Sequence, residues 1–142
     1  MKITIAICFL LLSHLLSAAE YDHAKIMGQY KYMSISKAML NWKLAEVDLS
    51  KISDKDFKKM TSEKEKTQYL VYLAQKKKFV GGKRSAVVEA LGDPSSYFFS
   101  EQNATYSLLK IDTDQWVVSF EVSSDQIVRS IKIAKQCCYE VK

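Results

Sequence analysis

Two adjacent cysteines, Cys137 and Cys138, are the most unusual local feature of the chain. A third, Cys8, lies inside an apolar N-terminal run, so an intrachain staple to a distant cysteine is excluded once that run is removed. Three states stay open for the pair. A vicinal disulfide closes a strained ring and is readily reduced. A bridge between chains gives a disulfide-linked homodimer or a mixed disulfide, the direction in which an oxidising compartment pushes. The third state is a pair of free thiols. Zinc needs several His or Cys ligands at defined spacing, and His23 is the one imidazole beyond the apolar run. The same scarcity weighs against nucleophilic catalysis, which needs a base beside its Ser, Cys or Thr. Asp112 and Asp114 lie two apart, a spacing that could pair carboxylates as in a glycosidase. However, Asp112-Thr113-Asp114-Gln115 reads as a turn, where Asp is favoured for local backbone hydrogen bonds. With no assembled acid, base and nucleophile, the expectation is a protein that is not an enzyme and uses no cofactor and no metal.

Binding chemistry is better represented. Lys76, Lys77 and Lys78, with Lys83 and Arg84 close behind, form a basic cluster suited to an anionic partner such as a lipid head group. The same residues also suit a solvated helix end that complements the helix dipole. Tyr97, Phe98 and Phe99 are three consecutive aromatics, and alternating side chains cannot all face one core. At least one is expected at the surface beside Ser100-Glu101-Gln102-Asn103 as a partner contact; the alternative is packing beneath the N-terminal helices. Asn103-Ala104-Thr105 matches a glycosylation sequon by pattern.

Those residues must be positioned by a chain of 142 residues, 48% hydrophobic and 26% charged, proportions that exclude a disordered tail, a collagen or a coiled-coil rod. Lys2, the apolar run Ile3 to Leu16 and the small residues Ser17, Ala18 and Ala19 have the layout of a secretory signal peptide. The run is shorter than the roughly 20 residues of a spanning helix. The expected mature chain is Glu20 to Lys142, with 20 basic and 16 acidic residues, exported to the periplasm or secreted. Export argues against nucleic acid as the partner for its charge. From Glu20 to Arg84 there are 15 basic and 8 acidic residues, and from Ser85 onwards 5 and 8, so the cationic character belongs to the first half.

Pattern divides the chain at the same place. His23 to about Val47 carries Ile26, Tyr30, Met33, Leu40, Leu44 and Val47 at helix-like spacings, which predicts one long helix. Ser53 and Ser62 each precede acidic residues and predict helix N-termini. The run from Tyr69 through Leu73 ends in lysines, with Gly81-Gly82 as the stop. Lys83 to Leu91 forms a short helix closed by Gly92 and Pro94. Beyond it the period becomes two. Thr105 to Ile111, Gln115 to Val122 and Ile127 to Ala134 predict an antiparallel meander of three strands, with Ser123 to Gln126 as a turn. One apolar face of that sheet must be covered, and helices are the available cover. The predicted class is α+β.

Gly81, Val87, Leu91, Gly92 and Pro94 also fall on the pattern Gly-x5-Val-x3-Leu-Gly-x-Pro. Over about residues 79–135 the chain resembles the outer-membrane assembly factor BamE (SmpA/OmlA) family and BamE-like α/β modules, without the lipoprotein cysteine. The resemblance implies a short helix followed by a three-stranded antiparallel sheet, packed as one domain with the helical region 20–80. It carries a fold more firmly than a role. The functional expectation is an exported binding module acting in the cell envelope through protein contacts; the alternative is a secreted inhibitor-like or effector protein with an external partner.

Overall fold

The computed structural model describes residues 31–96 and 102–136. These contain four α-helices, two 3-10 turns and a four-stranded antiparallel sheet, so the class is α+β. The elements run β1 (Tyr32–Met33), α1 (Ile35–Asn41), the 3-10 turns Leu44–Glu46 and Leu49–Lys51, α2 (Asp54–Lys59), α3 (Glu63–Gln75), α4 (Arg84–Leu91), β2 (Ala104–Ser107), β3 (Trp116–Val122) and β4 (Val128–Lys135). Sheet order is β1-β4-β3-β2, every neighbour antiparallel.

Helix starts follow local chemistry. Ser53 and Asp56 form a reciprocal capping box at α2: the Ser53 N–H donates to Asp56 Oδ2 at 2.8 Å, and the Asp56 N–H returns to Ser53 Oγ. Ser62 caps α3 by accepting from the Glu65 N–H. Gly92 closes α4 at φ +84°, a conformation that carries a steric penalty for any side chain with a Cβ.

The predicted helix from His23 to Val47 is not continuous where the structure describes it. Tyr32 and Met33 are a strand, Ser34 caps α1, and Lys43 adopts a left-handed φ of +54° that breaks the run. Two of the apolar residues that set the expected period are solvent-facing, Leu40 at 79% exposure and Val47 at 39%. Trp42 is buried in their place. The sheet accordingly has four strands rather than three. A two-residue strand is too short to show alternation, and it forms because β4 offers a free edge, where Tyr32 pairs with Ala134 and Met33 with Ile133. The first meander strand is also shorter than predicted, with Ile111 and Asp114 closing a tight turn after it.

One sheet face carries Tyr106, Val118, Phe120 and Ile133, and the helices cover it with Phe57, Tyr69, Leu70, Leu73, Val87 and Leu91. Tyr106 and Phe120 meet edge-on at 5.9 Å between ring centres. Two buried polar residues of α3 fasten this layer. The Gln68 amide donates to the Trp42 carbonyl at 2.8 Å, and Thr67 Oγ1 accepts from the Leu109 N–H at 2.7 Å. The opposite sheet face is not wholly polar either, since Val117 and Ala134 are buried there beside Thr105 and Ser119.

Candidate binding surface

The basic cluster folds as the exit from α3. Lys76 caps the helix, Lys77 follows in the left-handed region at φ +51°, and two bonds reach back into the last turn. The Lys77 N–H donates to the Ala74 carbonyl and the Lys78 N–H to that of Leu73. This pair of bonds is the Schellman termination, in which the left-handed position is usually glycine. Here it is lysine. Phe79 is left-handed as well, at φ +75°, and its ring packs edge-on against Phe120 at 6.0 Å. The Gly81 N–H donates to Val128 O and the Val128 N–H to Gly82 O, which stitches the turn to the start of β4.

This path divides the five predicted anion-contact residues. Lys78 turns back onto Asp54, with Nζ 2.9 and 3.0 Å from the two carboxylate oxygens, and the Tyr69 hydroxyl donates to the same carboxylate at 2.8 Å. Arg84 directs its guanidinium at the Asn103 carbonyl, 3.4 Å away. Lys76, Lys77 and Lys83 remain exposed. The Lys76 ammonium lies 5.7 Å from the Tyr72 ring centre; Lys77 and Lys83 have no side-chain partner among the described residues. Val80, between them in sequence, is 43% exposed. No acidic residue occurs from position 66 to position 88, so nothing local in sequence neutralises this segment.

Of the signature residues, Val87 and Leu91 are buried one turn apart against the core, and Gly81 and Gly92 hold φ values of +86° and +84°. Pro94 lies beyond the helix end. The predicted contacts Tyr97, Phe98 and Phe99 and the thiols of Cys137 and Cys138 lie outside the described residues, as does the N-terminal run. Asp112 sits at a turn with φ +54°, and Asp114 pairs with Lys135 at 2.7 Å. The sequon asparagine, Asn103, is buried and its Oδ1 accepts the Val122 N–H at 2.9 Å.

Three hollows were not legible in the sequence, because each joins residues from separate elements. One of about 260 Å³ lies among Phe57, Lys58, Lys66, Asp93 and Tyr106. A groove of about 430 Å³ runs between α2 and α4, with Asp54, Lys58, Phe79 and Glu89 along it. The third, about 210 Å³, is walled by Leu44, Ala45, Val47, Leu49 and Tyr72 and has Lys76 on its rim. Burial pushes the phenols of Tyr69 and Tyr106 above the ordinary range, helped at Tyr69 by the Asp54 carboxylate. Hydrogen bonds from Ser53 hold the Asp56 carboxyl below its usual value. The described residues include neither His nor Cys, and no three acidic side chains among them cluster as metal ligands. No described helix is long and apolar enough to cross a membrane. Comparison with known proteins finds no family model, no curated protein and no solved structure that matches the chain.

Proposed function

We propose that this chain is an exported, non-enzymatic binding module that acts in the cell envelope through protein contacts. The observation that carries the reading is the division of the basic cluster. Lys78 and Arg84 are engaged by Asp54 and by the Asn103 carbonyl, while the exposed Lys76, Lys77 and Lys83 make no ion pair among the described residues and flank an exposed Val80 in sequence. Exposed cations on both sides of an exposed apolar residue in sequence suit contact with an anionic partner. Anionic lipid head groups are a second source of the same charge complementarity. The proposed resemblance to BamE-like modules has local support in how its signature folds. Two left-handed glycines bracket a short helix whose Val87 and Leu91 are buried, and the antiparallel strands β2, β3 and β4 follow.

Cell fractionation with and without reductant tests the reading. Protein of the mature length in the envelope fraction, with cross-linked partners lost in a Phe98→Ala or Lys76→Gln/Lys77→Gln variant, is the expected result. Recovery in the medium would overturn the envelope assignment and favour a secreted effector or inhibitor. A band of doubled mass that collapses on reduction would assign Cys137 and Cys138 to a covalent dimer.

A further inference from the structure

The hollow beside the end of α3 joins apolar walls to a cationic rim. Its walls are apolar: Leu44, Ala45 and Val47 from the segment after α1, Leu49 from the next 3-10 turn, and the ring of Tyr72 from α3. Val47 is 39% exposed, so the wall continues onto open surface. The α3 side of the rim carries Lys76, and Lys77 follows it in the exposed turn. Asp48 and Ser50 complete the rim opposite, and that carboxylate is already engaged. It accepts from the Ser50 N–H at 3.3 Å and from the Ser50 hydroxyl, and pairs with Lys51 at 3.3 Å. Lys51 offsets the Asp48 charge, and Lys76 is the cation among the lining residues.

We infer that this hollow docks an acidic segment of a partner protein, seating one bulky apolar side chain between Val47 and Tyr72 while flanking carboxylates meet Lys76 and Lys77. The inference rests on the reading of the chain as a protein-binding module and gives the partner its chemistry. At about 210 Å³ the cavity has room for one such side chain and not for a folded element. Charge complementarity selects the flanking residues. The Schellman termination fixes the backbone that carries both lysines, so docking orders side chains and leaves the backbone alone. A lysine stands at the left-handed position next in sequence to Lys76, where glycine is less strained.

The test uses the full chain, isotopically labelled, and a synthetic probe of alternating Asp and Glu residues around a single Phe. Companion probes replace the Phe with Ala or the acids with Asn and Gln. Amide shifts at Ala45, Val47 and Tyr72 on titration with the first probe, and none with the companions, are expected. Ala45→Trp should fill the cavity from an exposed position and weaken binding at least about tenfold without unfolding the chain. Lys76→Gln/Lys77→Gln should weaken it about five- to tenfold, and the loss should disappear at high salt. Lys59→Gln/Lys64→Gln removes the same charge elsewhere and should change little. Equal binding of the Ala probe, indifference to Ala45→Trp, or equal losses in the two lysine pairs would each overturn the inference. So would binding to phosphatidylglycerol vesicles through these residues with no shift from the peptide. The outcome separates from the envelope assignment: chain found in the envelope without peptide binding sinks this inference alone, and peptide binding by chain recovered from the medium sinks the assignment alone.

Discussion

Lys77 occupies a backbone position whose conformation favours glycine, and replacing it should make the protein more stable. Its φ is +51°, within the left-handed region, and the surrounding Schellman bonds hold it there. That conformation costs an L-residue about 1–2 kcal/mol. Glycine relieves the clash but returns about 0.4–1 kcal/mol through its greater freedom in the unfolded chain. Taking the middle of each range, Lys77→Gly should gain about 0.8 kcal/mol. For a domain of this size that is a rise of about 2–8 °C in the thermal midpoint. Lys77→Ala is the decisive companion, since it removes the same charge but keeps the Cβ. Urea titrations of wild type and both variants, at low and high salt, separate backbone strain from lysine–lysine repulsion. Strain predicts a gain for glycine alone, independent of salt. A gain shared by alanine and abolished by salt would assign the effect to charge, and an unchanged glycine variant would refute the strain argument altogether.

Three further outcomes follow from contacts described above. Asp54→Ala removes the acceptor shared by Tyr69 and Lys78 at the junction of α2, α3 and the basic turn. It should cost about 1.5–3 kcal/mol in urea denaturation, with Tyr69→Phe costing less because Lys78 keeps its partner. Val87→Ala empties a fully buried site beneath α4 and should cost about 2 kcal/mol in the same assay. Tyr69 and Tyr106 ionise above the ordinary phenol value, so the folded chain keeps protons that the unfolded chain releases. Stability should be flat as pH approaches about 10 and fall above it as the unfolded state ionises. Phenolate absorbance should show these two hydroxyls titrating only as the protein unfolds, and Tyr106→Phe should flatten the alkaline loss.

Sequence legibility tracked the range of the determining contact. Ser53, Ser62 and Gly92 act on residues within four positions, and their helix ends stand where they were expected. The turn at Ser123 to Gln126 also held, with the Ser123 N–H bonded to Ile127 O and Gln126 left-handed at φ +64°. β1 was not legible, because two residues cannot show a period and their pairing depends on a β4 edge a hundred positions away. The end of α3 was misplaced for a different reason: the left-handed residue is Lys77, and a lysine sends no signal that a glycine would. Gln68 is buried on α3 because it finds the Trp42 carbonyl, a contact no spacing rule foresees. Which of the five basic residues are engaged by the fold likewise depended on Asp54 and on the Asn103 carbonyl, both remote in sequence. The hollow at Tyr72 draws its walls from three such separate pieces.

In a cell that glycosylates exported chains, the burial of Asn103 would set a race during biosynthesis. Once the fold closes, its amide oxygen is occupied by the Val122 backbone and the side chain is inside, where no transferase can reach it. A host that attaches glycans to emerging chains would meet Asn103 before β3 has been made, since its partner strand lies downstream. A sugar added then would have to be accommodated where the Asn103 side chain is buried at the end of β3. For export through a glycosylating host, folding of this sequence would thereby turn on one amide and on the order in which two strands leave the ribosome.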